Sequence, residues 1–143
     1  MDKYDVRKQF KELYAPRTRD FEVVTVPALK YLMLDGQGNP GTSPAYTRAL
    51  EALFSGIAKA AAKNVAGLDM LRLETLEEGL SAQILHIGSY DDEGPTLHRL
   101  HSEFLPANGF AFAGPHHEIY LSDARRVAPE KLKTILRQPV RRL

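Results

Sequence analysis

The fold is constrained most by the stretch Gly114-Pro115-His116-His117-Glu118-Ile119-Tyr120-Leu121-Ser122-Asp123. Residues His116 to Ser122 predict a strand that follows a Gly-Pro turn. Side chains alternate along a strand, so Glu118 and Tyr120 share one face. If that face is buried, the carboxylate needs a partner, because an unpaired buried charge is costly. A ligand cation or a retained proton would serve, and the stretch therefore indicates a small-molecule site.

Outward from this strand, periodicity and breaker residues divide the chain into helices and pairs of strands. Ser43-Pro44 is a strong helix start, because serine caps a helix and proline suits its first turn. The predicted elements are, in order, helix 3–14, strands 21–26 and 29–34, helix 43–64, strands 70–76 and 80–88, a helix from Pro95 to Pro106, strands 110–112 and 116–122, and helix 129–137. The strands around Glu77-Glu78-Gly79 predict an antiparallel hairpin. This order favours an α+β fold with an antiparallel sheet.

Length and composition are those of one folded domain. The 143 residues are 43% hydrophobic, which suffices for a core, and no apolar run reaches transmembrane length. The charged start Met1–Asp5 lacks a signal region and cysteine is absent, so we expect a cytoplasmic protein without disulfides. At a net charge of +1 we expect neither a nucleic-acid nor a membrane partner. Arg137, Arg141 and Arg142 are interpreted as a solvated tail after a helix.

Histidine pairs raise the question of a metal site. His98 and His101 are spaced for one helix face, and His116 and His117 are adjacent on a strand. A zinc site needs three or four converging ligands, whereas adjacent strand residues point to opposite faces. We therefore expect no metal. No phosphate loop, dinucleotide fingerprint or nucleophile elbow indicates a cofactor, so none is expected.

Aromatic side chains are the better indication of a site, since rings around a carboxylate suit flat or cationic ligands. The candidate ligand-binding residues are Glu118, Tyr120, Tyr31, Tyr46, Tyr90 and Phe54. The acids Glu77-Glu78 are interpreted as a solvated turn, and Asp91–Glu93 as favourable charge at a helix start. From the residues alone, Glu118 is best explained as a solvated edge-strand carboxylate or as the partner of Arg125 or Arg126.

Segments spread over most of the chain combine into a familiar pattern. In the second half these are Gly79–Tyr90, Glu93–Pro95, His116–Asp123 and Ala128–Pro139, and in the first half Phe10–Tyr14 and Tyr31–Pro40. Together they resemble the GyrI-like small-molecule-binding family. The resemblance implies two strand-helix-strand-strand modules related by pseudo-twofold symmetry, with a ligand cleft between them.

The resemblance implies a single domain over residues 1–143, with a first half-module at about 20–66, a second module at about 70–123 and a C-terminal helix at about 129–137. The family's cleft glutamate corresponds to Glu118, and Tyr120 matches the pattern two residues later. Similar stand-alone proteins are longer, and the chain after about Asn64 is too short for the first module's returning strands. We therefore expect an incomplete first module, and a homodimer that completes the cleft and covers the open sheet edge.

The resemblance implies a protein that binds small hydrophobic compounds, cationic or planar, in a cleft centred on Glu118. The alternative is a hydrolase of cyclopropane-bearing or similar electrophilic genotoxins, because some stand-alone members act on such compounds. Glu118 would then be catalytic, as a general base or as the group that stabilises a developing cation. A second alternative is a protein-interaction module, such as a partner of gyrase or of a transcription regulator.

Overall fold

The computed structural model describes residues 4–39, 42–58 and 71–143. The contacts between residues divide the chain into two compact units. The larger unit comprises the described chain up to Pro27 together with Glu78–Leu143, and the smaller unit is Ala28–Glu77. Both units contain antiparallel strands. The larger unit also has short helical segments and the smaller unit has one helix among the described residues, so the predicted α+β class is confirmed. The prediction of a single domain with two modules stays a prediction.

The described elements alternate much as the sequence predicts. In order they are α1 (Val6–Gln9), α2 (Lys11–Tyr14), β1 (Glu22–Val26), β2 (Leu29–Met33), α3 (Pro44–Ala58), β3 (Arg72–Leu76), β4 (Gly79–Ile87), a 3-10 turn (Tyr90–Asp92), α4 (Gly94–His98), a π-helical stretch (Arg99–Phe104), α5 (Leu105–Ala107), β5 (Phe110–Phe112), β6 (His117–Tyr120), a second 3-10 turn (Pro129–Lys131) and β7 (Lys133–Arg142). Residues 59–64 of the predicted helix 43–64 lie outside the described residues.

Strand β7 is the centre of the larger unit. Among the described residues, the sheet has the order β1-β4-β7-β5, and β6 also pairs with β7, beside β5. All of these pairs are antiparallel. One face of the sheet packs against the helical segment Gly94–Ala107, where Leu100 and Leu105 meet Ala82 and Val140 in the core. The other face carries the segment formed by α1 and α2, which is anchored by the side chains of β4 and β7.

The predicted C-terminal helix at about 129–137 is wrong, because a single 3-10 turn leads into β7. Leu132, Ile135 and Leu136 fit helical spacing, but every residue from Thr134 to Val140 is buried. A helix at the surface of a domain would expose one side, whereas a strand covered on both faces buries every residue.

Pro139 explains why the strand is hard to see in the sequence, since proline in a strand interior removes a ladder hydrogen bond. Here its carbonyl oxygen accepts a hydrogen bond from the backbone nitrogen of Ala113 at 3.0 Å. A residue in an antiparallel strand directs its nitrogen and oxygen to the same neighbour. The missing N–H therefore lies on the side of Ala113 and costs no hydrogen bond to β4.

The predicted hairpin of strands 70–76 and 80–88 is also wrong. Strand β3 pairs with β2 in the smaller unit, and β4 pairs with β1 and β7 in the larger one. Gly79 begins β4 with a φ of +66°, a conformation that glycine adopts at little cost. The chain thus leaves one sheet and enters the other at Glu78-Gly79 instead of turning back.

Arg137 ties the α1–α2 segment to the sheet, although the sequence placed it in a solvated tail. Its side chain is 1% exposed. The guanidinium donates from Nε to the amide oxygen of Gln83 at 3.0 Å and from NH2 to the carbonyl oxygen of Leu13 at 2.5 Å. Gln83 in turn donates to the carbonyl oxygen of Glu12 at 2.8 Å. These bonds satisfy two backbone oxygens of α2, which makes Arg137 a core residue.

Glu78 supplies the counter-charge, so its interpretation as a solvated turn residue is wrong as well. Its side chain is 3% exposed, and its Oε2 lies 3.0 Å from His117 Nε2 and 3.7 Å from Arg137 NH1. Burial alone would raise the pKa of Glu78, but His117 and then Arg137 outweigh it and lower that pKa below the usual value.

We expect Arg137→Met to lower the free energy of unfolding by about 3–5 kcal/mol, because it leaves the Glu78 carboxylate buried without its guanidinium. Arg141→Met, at an exposed position of the same strand, is the matched control and should change stability by less than about 0.5 kcal/mol. Chemical denaturation measures both. Equal losses in the two variants would contradict a core role for Arg137.

Candidate functional site

Strand β6 places Glu118 and Tyr120 side by side on the helix-covered face of the sheet. The Tyr120 hydroxyl donates a hydrogen bond to Glu118 Oε2. On β7, Leu136 lies opposite Glu118 and Thr134 lies opposite Tyr120. Both site residues are half-buried, so the carboxylate is fixed by its neighbour and still reaches the surface.

Tyr90 brings a second aromatic ring to this place. Its ring centroid lies 4.9 Å from that of Tyr120, at an interplanar angle of 45°. The turn that carries Tyr90 is held by Ser89, whose hydroxyl accepts from the backbone nitrogen of Asp91 at 3.3 Å. Gly88 precedes it with a φ of +147°, and a Cβ there would lie 3.1 Å from His86 Nε2. The positive φ favours glycine here, and a Cβ would also crowd the end of the His86 side chain.

Glu93 is the site residue that sequence reasoning missed. It is 4% exposed, and its Oε1 makes no regular hydrogen bond with any described residue. Its side chain interacts with the Glu118 carboxyl and the Thr134 hydroxyl. Burial, and after it the charge of Glu118, raise the pKa of Glu93 to about 7, although Thr134 acts in the opposite direction.

No local signal distinguishes Glu93 from the two acids before it. Asp91 and Asp92 are exposed, as expected of acids at a helix start, whereas Glu93 turns inward at the first residue before α4. Its backbone oxygen accepts from Leu97 at 2.9 Å, so the start of the helix fixes its position. Only the packing of this turn against β6 and β7 makes the third acid different.

The remaining candidates belong to the smaller unit. Tyr31 lies on β2 opposite Glu74, and Tyr46 and Phe54 lie on α3. Tyr31 and Tyr46 are half-buried, and Phe54 is 62% exposed. Of the six predicted residues, the structure brings together Glu118, Tyr120 and Tyr90, and the ligand-binding roles of all six stay predictions.

The cations considered as partners of Glu118 both approach Asp123. Arg125 binds it through Nε and NH2 at 2.9 Å each, and Arg126 lies 3.8 Å away. These hydrogen bonds, those of Arg125 first, lower the pKa of Asp123 to about 2. In the part of the chain that the structure describes, neither Glu118 nor Glu93 forms an ion pair with lysine or arginine.

Two of the histidines pack together elsewhere on this face. The His101 ring lies 5.8 Å from that of His116 and meets Phe112 edge-on at 5.1 Å. Burial, and after it the charge of His116, lower the pKa of His101. Within residues 4–39, 42–58 and 71–143, no group of three or more histidine, aspartate or glutamate side chains could hold a metal ion.

We expect Glu93→Gln to stabilise the protein at about pH 8 by about 1–3 kcal/mol and to have no such effect at about pH 4.5. The unfolded chain loses the Glu93 proton near pH 4.5, the ordinary pKa of a glutamate, whereas the folded chain holds it to about 7. Wild-type stability therefore falls as pH rises between these values. Urea unfolding across this range measures the difference, with Glu103→Gln, at an exposed position, as the control. Parallel stability curves for wild type and Glu93→Gln would contradict it.

Comparison with known proteins identifies the family. The family model of the GyrI-like small molecule binding domain matches residues 51–141. The chain belongs to the GyrI-like family. No curated protein matches it. In the described residues of this GyrI-like protein, no helix is long and apolar enough to cross a membrane.

Solved structures from Listeria innocua resemble the GyrI-like chain along its length. A protein described as a hydrolase is 26% identical, with a TM-score of 0.82 over 97% of this chain and 100% of that chain. A hydrolase encoded by lin2189 is 25% identical, with a TM-score of 0.81 over 98% and 100%. An uncharacterized conserved protein is 26% identical, with a TM-score of 0.79 over 97% and 100%. The match covers each of these solved chains completely.

Proposed function

We propose that this GyrI-like protein binds a small hydrophobic compound, cationic or planar, at the sheet face formed by Glu118, Glu93, Tyr90 and Tyr120. The observation that carries the proposal is a half-buried carboxylate, Glu118, that is oriented by the Tyr120 hydroxyl and has no lysine or arginine partner among the described residues. The family match to a small-molecule-binding domain supports the same role.

The physical properties of the surface favour an organic cation. A carboxylate in a partly desolvated place attracts a positive charge more strongly than one in water, since screening is weaker there. The rings of Tyr90 and Tyr120, 4.9 Å apart, offer apolar area and electron-rich faces beside that charge. Ligand-binding roles of Tyr31, Tyr46 and Phe54 in the smaller unit, and a homodimer that completes the cleft, are further parts of the proposal.

We expect cationic aromatic compounds to raise the melting temperature of the protein and neutral isosteres to have little effect. Benzamidine and benzamide form a matched pair for this comparison. A ligand at roughly a hundredfold excess over its Kd should raise Tm by about 5–10 °C in a domain of this size. The shift should disappear in Glu118→Gln and persist in Glu103→Gln, whose exposed carboxylate lies outside the site. An unchanged shift in Glu118→Gln would contradict this site.

Hydrolysis is the second candidate function, favoured by the two carboxyl groups and by the hydrolases among the similar solved structures. Glu93 with its pKa of about 7 retains a proton near neutrality, and Glu118 is placed to accept one. For a cyclopropane-bearing electrophile, Glu118 would take a proton from water while the water oxygen bonds to the ring carbon. The ring C–C bond would break, and Glu93 would deliver its proton to the leaving carbon.

We expect turnover of such a substrate to add one water molecule to the opened ring, as mass spectrometry of the product would reveal. Glu118→Gln should lower kcat by about 10²–10⁴-fold, the usual contribution of a general base. Glu103→Gln should leave kcat unchanged. Substrate binding by wild type without any product would contradict hydrolysis and leave the binding function intact.

A further inference from the structure

Two acids share the site, and no lysine or arginine in the described residues neutralises them. Glu93 is the more deeply buried of the two, and its Oε1 has no regular hydrogen bond within the described chain. When buried Glu93 and half-buried Glu118 are both ionised without a cation, their repulsion adds to the cost of desolvating Glu93. The pair therefore favours a state that keeps one proton.

The hydrogen bonds indicate which acid holds that proton. The Tyr120 hydroxyl donates to Glu118 Oε2, and a hydrogen-bond donor of this kind favours the ionised form of the acid that receives it. Glu93 receives no comparable donor, since the Thr134 hydroxyl beside it makes no regular hydrogen bond among the described residues. Glu93 is therefore the acid that keeps the proton.

We infer that Glu93 holds a proton beside ionised Glu118 and releases it when an organic cation binds. The inference rests on the proposed function. The ligand is an organic cation, an amidinium or a protonated nitrogen heterocycle, that takes the place of the Glu93 proton. The O–H bond of Glu93 breaks, the proton leaves to solvent, and the cation lies against two carboxylates. A neutral ligand displaces no proton.

Within the described part of the chain, the titratable and polar groups around Glu93 come from three strands and its own turn. Strand β6 contributes the Glu118 carboxyl with its Tyr120 phenol, and β7 contributes the Thr134 hydroxyl. Strand β4 places His86 opposite Thr134, and the His86 Nε2 contacts the carbonyl oxygen of Ser89 at 3.2 Å. On its own turn the charges are the exposed Asp91 and Asp92.

The helical segment Gly94–Ala107 adds two basic side chains that make contacts elsewhere. His98 lies 3.5 Å from the Ser102 hydroxyl, and the Arg99 guanidinium stacks over the Phe21 ring at 5.4 Å. Both are exposed. Neither forms an ion pair with Glu93 among the described residues.

The first test needs no ligand. Carbon-13 NMR of the glutamate carboxyl groups follows each acid over a pH titration. Wild type should have one glutamate that titrates near neutrality; this signal should be missing in Glu93→Gln and should move to lower pH in Glu118→Gln. If every glutamate of the wild type titrates near its ordinary pH, the inference is overturned whatever the protein binds.

The second test uses benzamidine, with benzamide as its neutral match. The Kd of benzamidine should fall by about tenfold or more between about pH 5.5 and about pH 8, because binding that releases a proton strengthens as pH rises. Calorimetry in buffers of different ionisation enthalpy should detect the release of a fraction of one proton. In Glu93→Gln, benzamidine should still bind, with no proton release and no such pH dependence.

The outcomes separate the two proposals. Benzamidine binding that depends on Glu118 but releases no proton overturns the proton exchange and supports the proposed function. Failure of benzamidine to bind wild type at either pH overturns the cationic ligand and, with it, the exchange. Equal proton release in wild type and Glu93→Gln also overturns the exchange, since another group would then be the source.

Discussion

The buried ion pair between Arg137 and Glu78 is the constraint on which the larger unit depends. The guanidinium lies in the middle of the central strand, where it can be desolvated only if Glu78, Gln83 and a backbone oxygen of α2 satisfy it. These partners come from distant parts of the chain. One side chain thereby fixes how the N-terminal segment, the start of β4 and the strand β7 meet.

Side chains alternate between the two faces of a sheet, so the register around Arg137 also positions the candidate site on the opposite face. His117 and Arg137 lie opposite each other on one face, so their neighbours Glu118 and Leu136 must lie opposite each other on the other face. The register that seals the charged network under α2 therefore also directs Glu118 towards Tyr90 and Glu93. The two buried charge clusters of this unit are thus separated by the thickness of a single sheet.

The buried acids on the two faces of the sheet have opposite pKa shifts. Glu78 has His117 and Arg137 beside it, and its pKa is lowered, so its charge contributes to stability. Glu93 has Glu118 beside it, and its pKa is raised to about 7, so its charge opposes folding. Acids with a strongly shifted pKa are common at functional sites, and this tendency supports the site proposed on this face.

The sequence by itself determined the α+β class, most element positions, the family and the shared face of Glu118 and Tyr120, because these depend on local periodicity and on short motifs. Only the tertiary structure decided that β7 is a strand, since Pro139 and the spacing of Leu132, Ile135 and Leu136 are also compatible with a helix. The tertiary structure alone also decided that Arg137, Glu78 and Glu93 are buried. Their spacing is that of solvated charges, and their burial follows from the packing of residues far away in the chain.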